Sequence, residues 1–90
     1  MTFHERYKVE KTWHGRAQIM EIFHLAQRFN NKEWRLQDTA QYFQASLGLV
    51  SENLRLADLM HTRPDILNCS SRQEALKRIN YGQHNVQRDD

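Results

Sequence analysis

The chain is poor in the residues that mark secreted, membrane-spanning or loop-rich proteins. A single cysteine, Cys69, in 90 residues excludes an internal disulfide. One proline and three glycines leave few places where a helix must break. No apolar run approaches the roughly 20 residues needed to cross a bilayer, so no membrane partner is expected. The opening residues, Met1 to Lys11, are charged where a secretory signal would be apolar. A lone thiol suits a reducing compartment, and the expected location is the cytoplasm. A chain of this length makes one small domain with a modest core and a net stability of roughly 5 kcal/mol.

Charge is nearly balanced: 13 Lys and Arg stand against 11 Asp and Glu. That excludes a histone-like polycation, and distribution then matters more than the sum. Between Arg55 and Arg88 the bases are Arg55, Arg63, Arg72, Lys77, Arg78 and Arg88, and the acids are only Asp58, Asp65 and Glu74. The same residues also read as an ordinary solvated surface, so charge alone does not settle a partner.

Hydrophobic spacing predicts an all-α domain. Residues 1–11 read as an extended or partly helical arm, because Phe3, Tyr7 and Val9 share one parity with no strand to pair with. A helix is expected over about 13–29, with Thr12 as N-cap and Ile19, Ile22, Phe23, Ala26 and Phe29 as its apolar stripe. Gly15 should weaken its first turn. Asn30 to Glu33 form a loop. A short helix over about 36–43 turns Leu36, Ala40 and Phe43 inward. Arg35 is a poor cap for it, and Asp38 suits the helix dipole. Ser46 caps a helix over about 47–61, whose buried stripe is Val50, Leu54, Ala57 and Met60. Pro64 ends this segment, and one turn packs Ile66 and Leu67. Ser71 and Glu74 stand at capping-box spacing before a last helix over about 72–80, with Gly82 as its stop. The domain is expected over 12–82, followed by a flexible polar tail over 83–90.

Only Gln44, Ala45 and Ser46 separate the second and third of these helices. So short a link makes the two helices cross steeply, with small Ala40 at the contact and Val50 plugging the gap. This is the spacing of a helix-turn-helix. The outward positions are then Ser46, Leu47, Gly48, Ser51, Glu52 and Arg55.

From about Trp34 to Ile79 the chain resembles the helix-turn-helix DNA-binding domain of the ParB/KorB partition proteins. The resemblance rests on "TAQYFQAS", "VSENLRLADLM" and "SRQEALKRI", in that order, and covers about half the chain. It implies specific binding of double-stranded DNA, as in a small plasmid or phage regulator or a partition-type protein. The nucleotide-binding and dimerisation parts of partition proteins have no visible counterpart here, so CTP hydrolysis is not implied. The turn position usually held by glycine is Gln44, which is expected to adopt left-handed or strained backbone at about 1 kcal/mol.

Phosphates attract cations, helix N-termini and small polar groups. The candidates are Arg35, Gln37, the Ser46 end of the helix, Arg55, Arg72, Lys77 and Arg78. Base edges need fixed donors and acceptors or a methyl-seeking group. Ser51 and Glu52 can hydrogen-bond, Leu47 can touch a thymine methyl, and Gly48 lets backbone approach closely. The first outward residues carry no Arg, Lys, Gln or Asn. Two readings therefore stand: DNA binding as a homodimer or larger assembly, or docking of another protein on Leu47 and Leu49. Self-contact is expected through the arm or the first helix. Trp13 and Trp34 read as lids on the core, and Cys69 as a half-buried small residue. The five histidines lack metal spacing, and no glycine-rich phosphate loop or carboxylate pair is visible. No cofactor, metal or enzymatic activity is expected.

Overall fold

The computed structural model describes residues 1–79. These residues are helical and contain no strand: α1 (Phe3–Val9), α2 (Trp13–Asn30), α3 (Leu36–Phe43), α4 (Leu47–Leu59), a 3₁₀ helix (Pro64–Asn68) and α5 (72–79). The all-α expectation holds. The expected stop at Gly82 and the tail over 83–90 lie outside the described residues.

The arm is a helix rather than an extended segment. Thr2 Oγ1 accepts from the Glu5 N–H at 3.1 Å, and the Glu5 carboxylate accepts from the Thr2 N–H at 2.9 Å. This reciprocal capping box closes both orphan donors. It brings Phe3 and Tyr7 onto one face, where the rings meet Phe23 and Phe43 at 5.5 and 5.2 Å. Phe3, Tyr7 and Trp13 are therefore used inside the chain and are not free for the expected self-contact, whereas Val9 is exposed.

Two apolar clusters fill the interior. One joins Ala17, Leu56, Ala57, Met60, Ile66, Cys69, Ala75 and Ile79. The other joins Ile19, Met20, Phe23, Ala40, Phe43 and Val50. Both draw on α2 and α4, which act as the two long beams of the domain. The buried face of α2 is Ala17, Ile19, Met20, Phe23 and His24. The expected stripe is only partly right, since Ile22, Ala26 and Phe29 face outward and Phe29 is 90% exposed. On α4 the buried set is Val50, Asn53, Leu56 and Ala57, with Leu54 only half-buried. Leu36 is likewise exposed, and Thr39 takes the inward place beside Ala40 and Phe43. Cys69 is fully rather than half buried, under Trp13, whose indole N–H donates to the Cys69 carbonyl at 2.8 Å.

Gly15 has a use the spacing did not suggest. The Glu10 carboxylate folds over the first turn of α2 and accepts from the Thr12 hydroxyl at 2.7 Å, and a Cβ at Gly15 would collide with it. Thr12 caps the helix as expected, accepting from the Gly15 N–H at 3.0 Å. Around Glu74 the box is shifted by one residue. Ser71 Oγ accepts from the Glu74 N–H, but the carboxylate reaches the N–H and hydroxyl of Ser70.

A buried polar chain ties α2 to α3. His24 Nδ1 lies 2.6 Å from Thr39 Oγ1, which also accepts from the Trp34 indole N–H at 2.8 Å. The Thr39 oxygen can either donate its proton to a bare Nδ1 or accept from an Nδ1–H, so the contact fits both tautomers of a neutral His24. Burial, aided by the nearby Arg28 charge, holds the His24 pKa below the usual 6.5. The unfolded chain therefore takes up a proton first as pH falls, so stability is complete above about pH 6.5 and declines below it. In thermal melts, Tm should drop between pH 7 and 5, and His24→Gln should remove that step at the expense of a lower plateau. A wild-type Tm that is flat across this range would contradict a neutral buried His24.

Candidate nucleic-acid interface

The link between α3 and α4 is built from three backbone features. Gln44 adopts left-handed backbone at φ 55° and ψ 44°, the only positive φ among the described non-glycine residues. Its N–H donates to the Gln41 carbonyl at 3.2 Å, and the Ala45 N–H donates to the Ala40 carbonyl at 2.9 Å. Together these make a Schellman stop without the usual glycine. Ser46 then caps α4, its hydroxyl accepting from the Leu49 N–H at 3.1 Å. At the other end of α3, Arg35 supplies no side-chain cap, and the Asp38 carboxylate instead accepts from the Arg35 N–H at 2.8 Å.

Ala40 and Val50 are both buried in the second cluster, so the contact between α3 and α4 is seated on the core. The opposite face of α4 is open. Ser46, Leu47, Gly48, Ser51 and Arg55 are exposed, Leu47 by 53%. A Cβ built on Gly48 would meet nothing within 4 Å. Glycine costs a helix up to about 1 kcal/mol relative to alanine, and nothing in the chain itself requires one here.

The charged candidates do not form one patch. Glu52 is half-buried and its carboxylate pairs with the Arg72 guanidinium, which joins α4 to the start of α5. Each partner is therefore engaged before any ligand arrives. Arg78 donates to the Asp65 carbonyl at 3.1 Å, and Asp65 also pairs with Arg63 at 3.0 Å. The hydrogen bond and charge of Arg63, then a bond from its own backbone N–H and the charge of Arg78, hold the Asp65 carboxyl below the usual carboxylate range. This anchor lies beyond the C-terminal end of α4, a helix of 13 residues and about 20 Å. Arg78 thus stands apart from the Ser46 end, while Lys77 next to it is exposed. Arg35 and Gln37 are exposed at the end of α3 that lies away from the turn.

A cleft of about 250 Å³ beside α4 adds residues that the motif spacing missed. It is lined by Tyr7, Trp13, Arg16, Leu49, Asn53 and Arg72. Asn53 is 2% exposed, and its amide donates to the Met20 sulfur at 3.4 Å. Its signal in the sequence is a polar residue at an apolar-stripe position, between Val50 and Ala57. Arg16 is held by a bond from Nε to the Glu10 carbonyl at 2.8 Å and by the Tyr7 ring. Among the described residues, no three His, Cys, Asp or Glu side chains gather as metal ligands, and no helix is long and apolar enough to cross a membrane.

No family model matches the chain, and neither a curated protein nor a solved structure matches it.

Proposed function

We propose that the chain binds double-stranded DNA sequence-specifically, with α3 and α4 acting as a helix-turn-helix and the N-terminal turns of α4 entering a major groove. The observation that carries this reading is the open first turn of α4, where Gly48 faces empty space and the capped N-terminus is solvent-accessible. A helix start of this kind favours phosphate oxygens through its unpaired N–H groups, and a glycine there lets backbone come close to a base edge. Ser51 and Leu47 offer a hydrogen bond and a methyl contact. Arg55, Arg35, Gln37 and Lys77 are exposed cations and polar groups for phosphates. Binding is expected as a dimer, since one module makes few base contacts and paired half-sites about 34 Å apart are the usual arrangement. Nothing in this reading calls for catalysis or a cofactor. The setting it fits is a plasmid or phage regulator, or a partition-type protein.

Leu47 favours a second reading. A leucine 53% exposed at the start of a helix is also an apolar anchor for another protein. Titration of duplex pools at several salt concentrations separates the two. If DNA is the partner, affinity should fall steeply with salt. Arg55→Ala and Lys77→Ala should each reduce the salt slope by about one, while Leu47→Ala should shift sequence preference with little change in nonspecific affinity. A wild type without salt-sensitive affinity for any duplex pool would reject the DNA reading. Damage from Leu47→Ala to a salt-resistant protein complex would support docking.

A further inference from the structure

The exposed side of α2 carries an apolar stripe that the fold leaves uncovered. Ile22, Leu25, Ala26 and Phe29 recur at helical spacing, with Ile22 55%, Leu25 58% and Phe29 90% exposed. Beside Ile22 a groove of about 330 Å³, lined also by Arg6, Glu10 and Gln18, leads to Met1, just before α1, and to Val9 at its end, which are 85% and 62% exposed. We propose that this face is a homodimer interface in which two copies of α2 pack antiparallel across a two-fold axis near Leu25 and Ala26.

Four observations point to a second copy as the occupant. The first is self-complementarity. In an isologous pair, residue i meets j and j meets i. With the axis between Leu25 and Ala26, Ile22 of one chain faces Phe29 of the other, and small Ala26 gives Leu25 room. The second is charge. Glu21, half-buried 3.8 Å from His61 of its own chain, and Arg28, which donates to the Trp34 carbonyl, lie on one edge of the stripe, and antiparallel pairing brings Glu21 of each copy toward Arg28 of the other. The third is area. A large apolar side chain exposes roughly 150–200 Å² when free, so the stripe together with Met1 and Val9 offers about 600 Å² per chain. Two chains would remove about 1,200 Å², the lower edge of a stable interface. The fourth concerns the chain beyond residue 79, which is the other local candidate. Its only large apolar residues are Tyr81 and Val86, too few to fill the stripe. The expectation of paired modules comes from the DNA-binding reading, but the surface is argued from its own geometry.

Light scattering on the full chain, without DNA, tests the proposal from micromolar to millimolar protein. A reversible dimer with a midpoint in the micromolar range is expected. Phe29→Asp and Leu25→Asp should each raise that midpoint by at least about tenfold, whereas Leu47→Asp, on an exposed leucine elsewhere, should leave it unchanged. Circular dichroism confirms that the variants keep their helices. Ala26→Cys should oxidise to a covalent dimer, with little background because Cys69 is buried. A wild type that stays monomeric to millimolar concentration overturns the proposal, whether residues 80–90 or a different protein covers the stripe. So does a dimer that Phe29→Asp and Leu25→Asp leave intact. Because no DNA is present, a monomeric result leaves the DNA reading standing as one module on one half-site, and a dimer that ignores DNA fails only that reading.

Discussion

Phe23→Ala is expected to remove most of the stability of the domain. The Phe23 ring is 5% exposed and sits where α1, α2, α3 and the loop before α3 converge. It stacks on Tyr42 at 4.2 Å and 17°, and meets Phe43, Phe3 and Trp34 edge-on at 5.2, 5.5 and 6.0 Å. Truncation leaves a cavity whose walls belong to four separate segments and cannot all close in. Losses of about 3–5 kcal/mol follow for a buried phenylalanine, against a net stability of roughly 5 kcal/mol for a chain this size. Tm should fall by about 15–30 °C, and the urea midpoint should move close to zero. Phe29→Ala is the matched control: the same change on the same helix, at a ring 90% exposed, should stay within about 0.5 kcal/mol of the wild type at protein concentrations below the proposed dimer midpoint. Equal losses at the two positions would mean that α2 is rotated from the orientation described.

Replacing Gly48 is expected to separate stability from binding. Gly48→Ala should raise the stability of the free chain by about 0.5–1 kcal/mol, because the added methyl enters open space and the unfolded chain loses freedom. Gly48→Leu should also fold. Its side chain would hold the start of α4 away from a groove floor and strip contacts from Leu47 and Ser51 together. A loss of about 2–3 kcal/mol in DNA affinity, or roughly 30–150-fold, is expected at fixed salt. Melting curves and duplex titrations on the same preparations check both halves. Wild-type affinity in Gly48→Leu would show that the first turn of α4 does not lie against DNA.

Particular residues show how far the fold can be read from the chain. The start of α3 at Leu36, its end at Phe43 and the start of α4 at Leu47 are legible because Ser46 is a strong cap and only three residues are left for the link. The helix α1 announces itself through Thr2 and Glu5 at capping-box spacing, but the parity of Phe3, Tyr7 and Val9 competes with that signal. The face of α2 is not legible, for a physical reason. Trp13, Ala17, Met20 and Phe23 form one apolar stripe, Ile22, Leu25, Ala26 and Phe29 another, and periodicity does not rank them. Only contact with α4 and α1 decides. His24 adds to the ambiguity, since a histidine on the buried side needs Thr39, which is fifteen residues away. For the candidate site, exposure at Ser46, Leu47, Gly48, Ser51 and Arg55 follows from α4 periodicity. The Glu52–Arg72 pair does not, because its partners are twenty residues apart and meet only after the 3₁₀ helix has turned the chain back.

The two indoles divide the molecule between them. Trp13 packs on the cluster that holds Cys69 and Ile66, and Trp34 on the cluster that holds Phe23 and Phe43. Each has its N–H bonded to a partner within its own half. The chain therefore contains an optical reporter in each half of its interior, with no label added. A fluorescence record of unfolding from Trp13→Phe follows one half, and the record from Trp34→Phe follows the other. Since α2 and α4 run through both clusters, the two traces measure whether those helices transmit the loss of one half to the other, or let the domain open from one end.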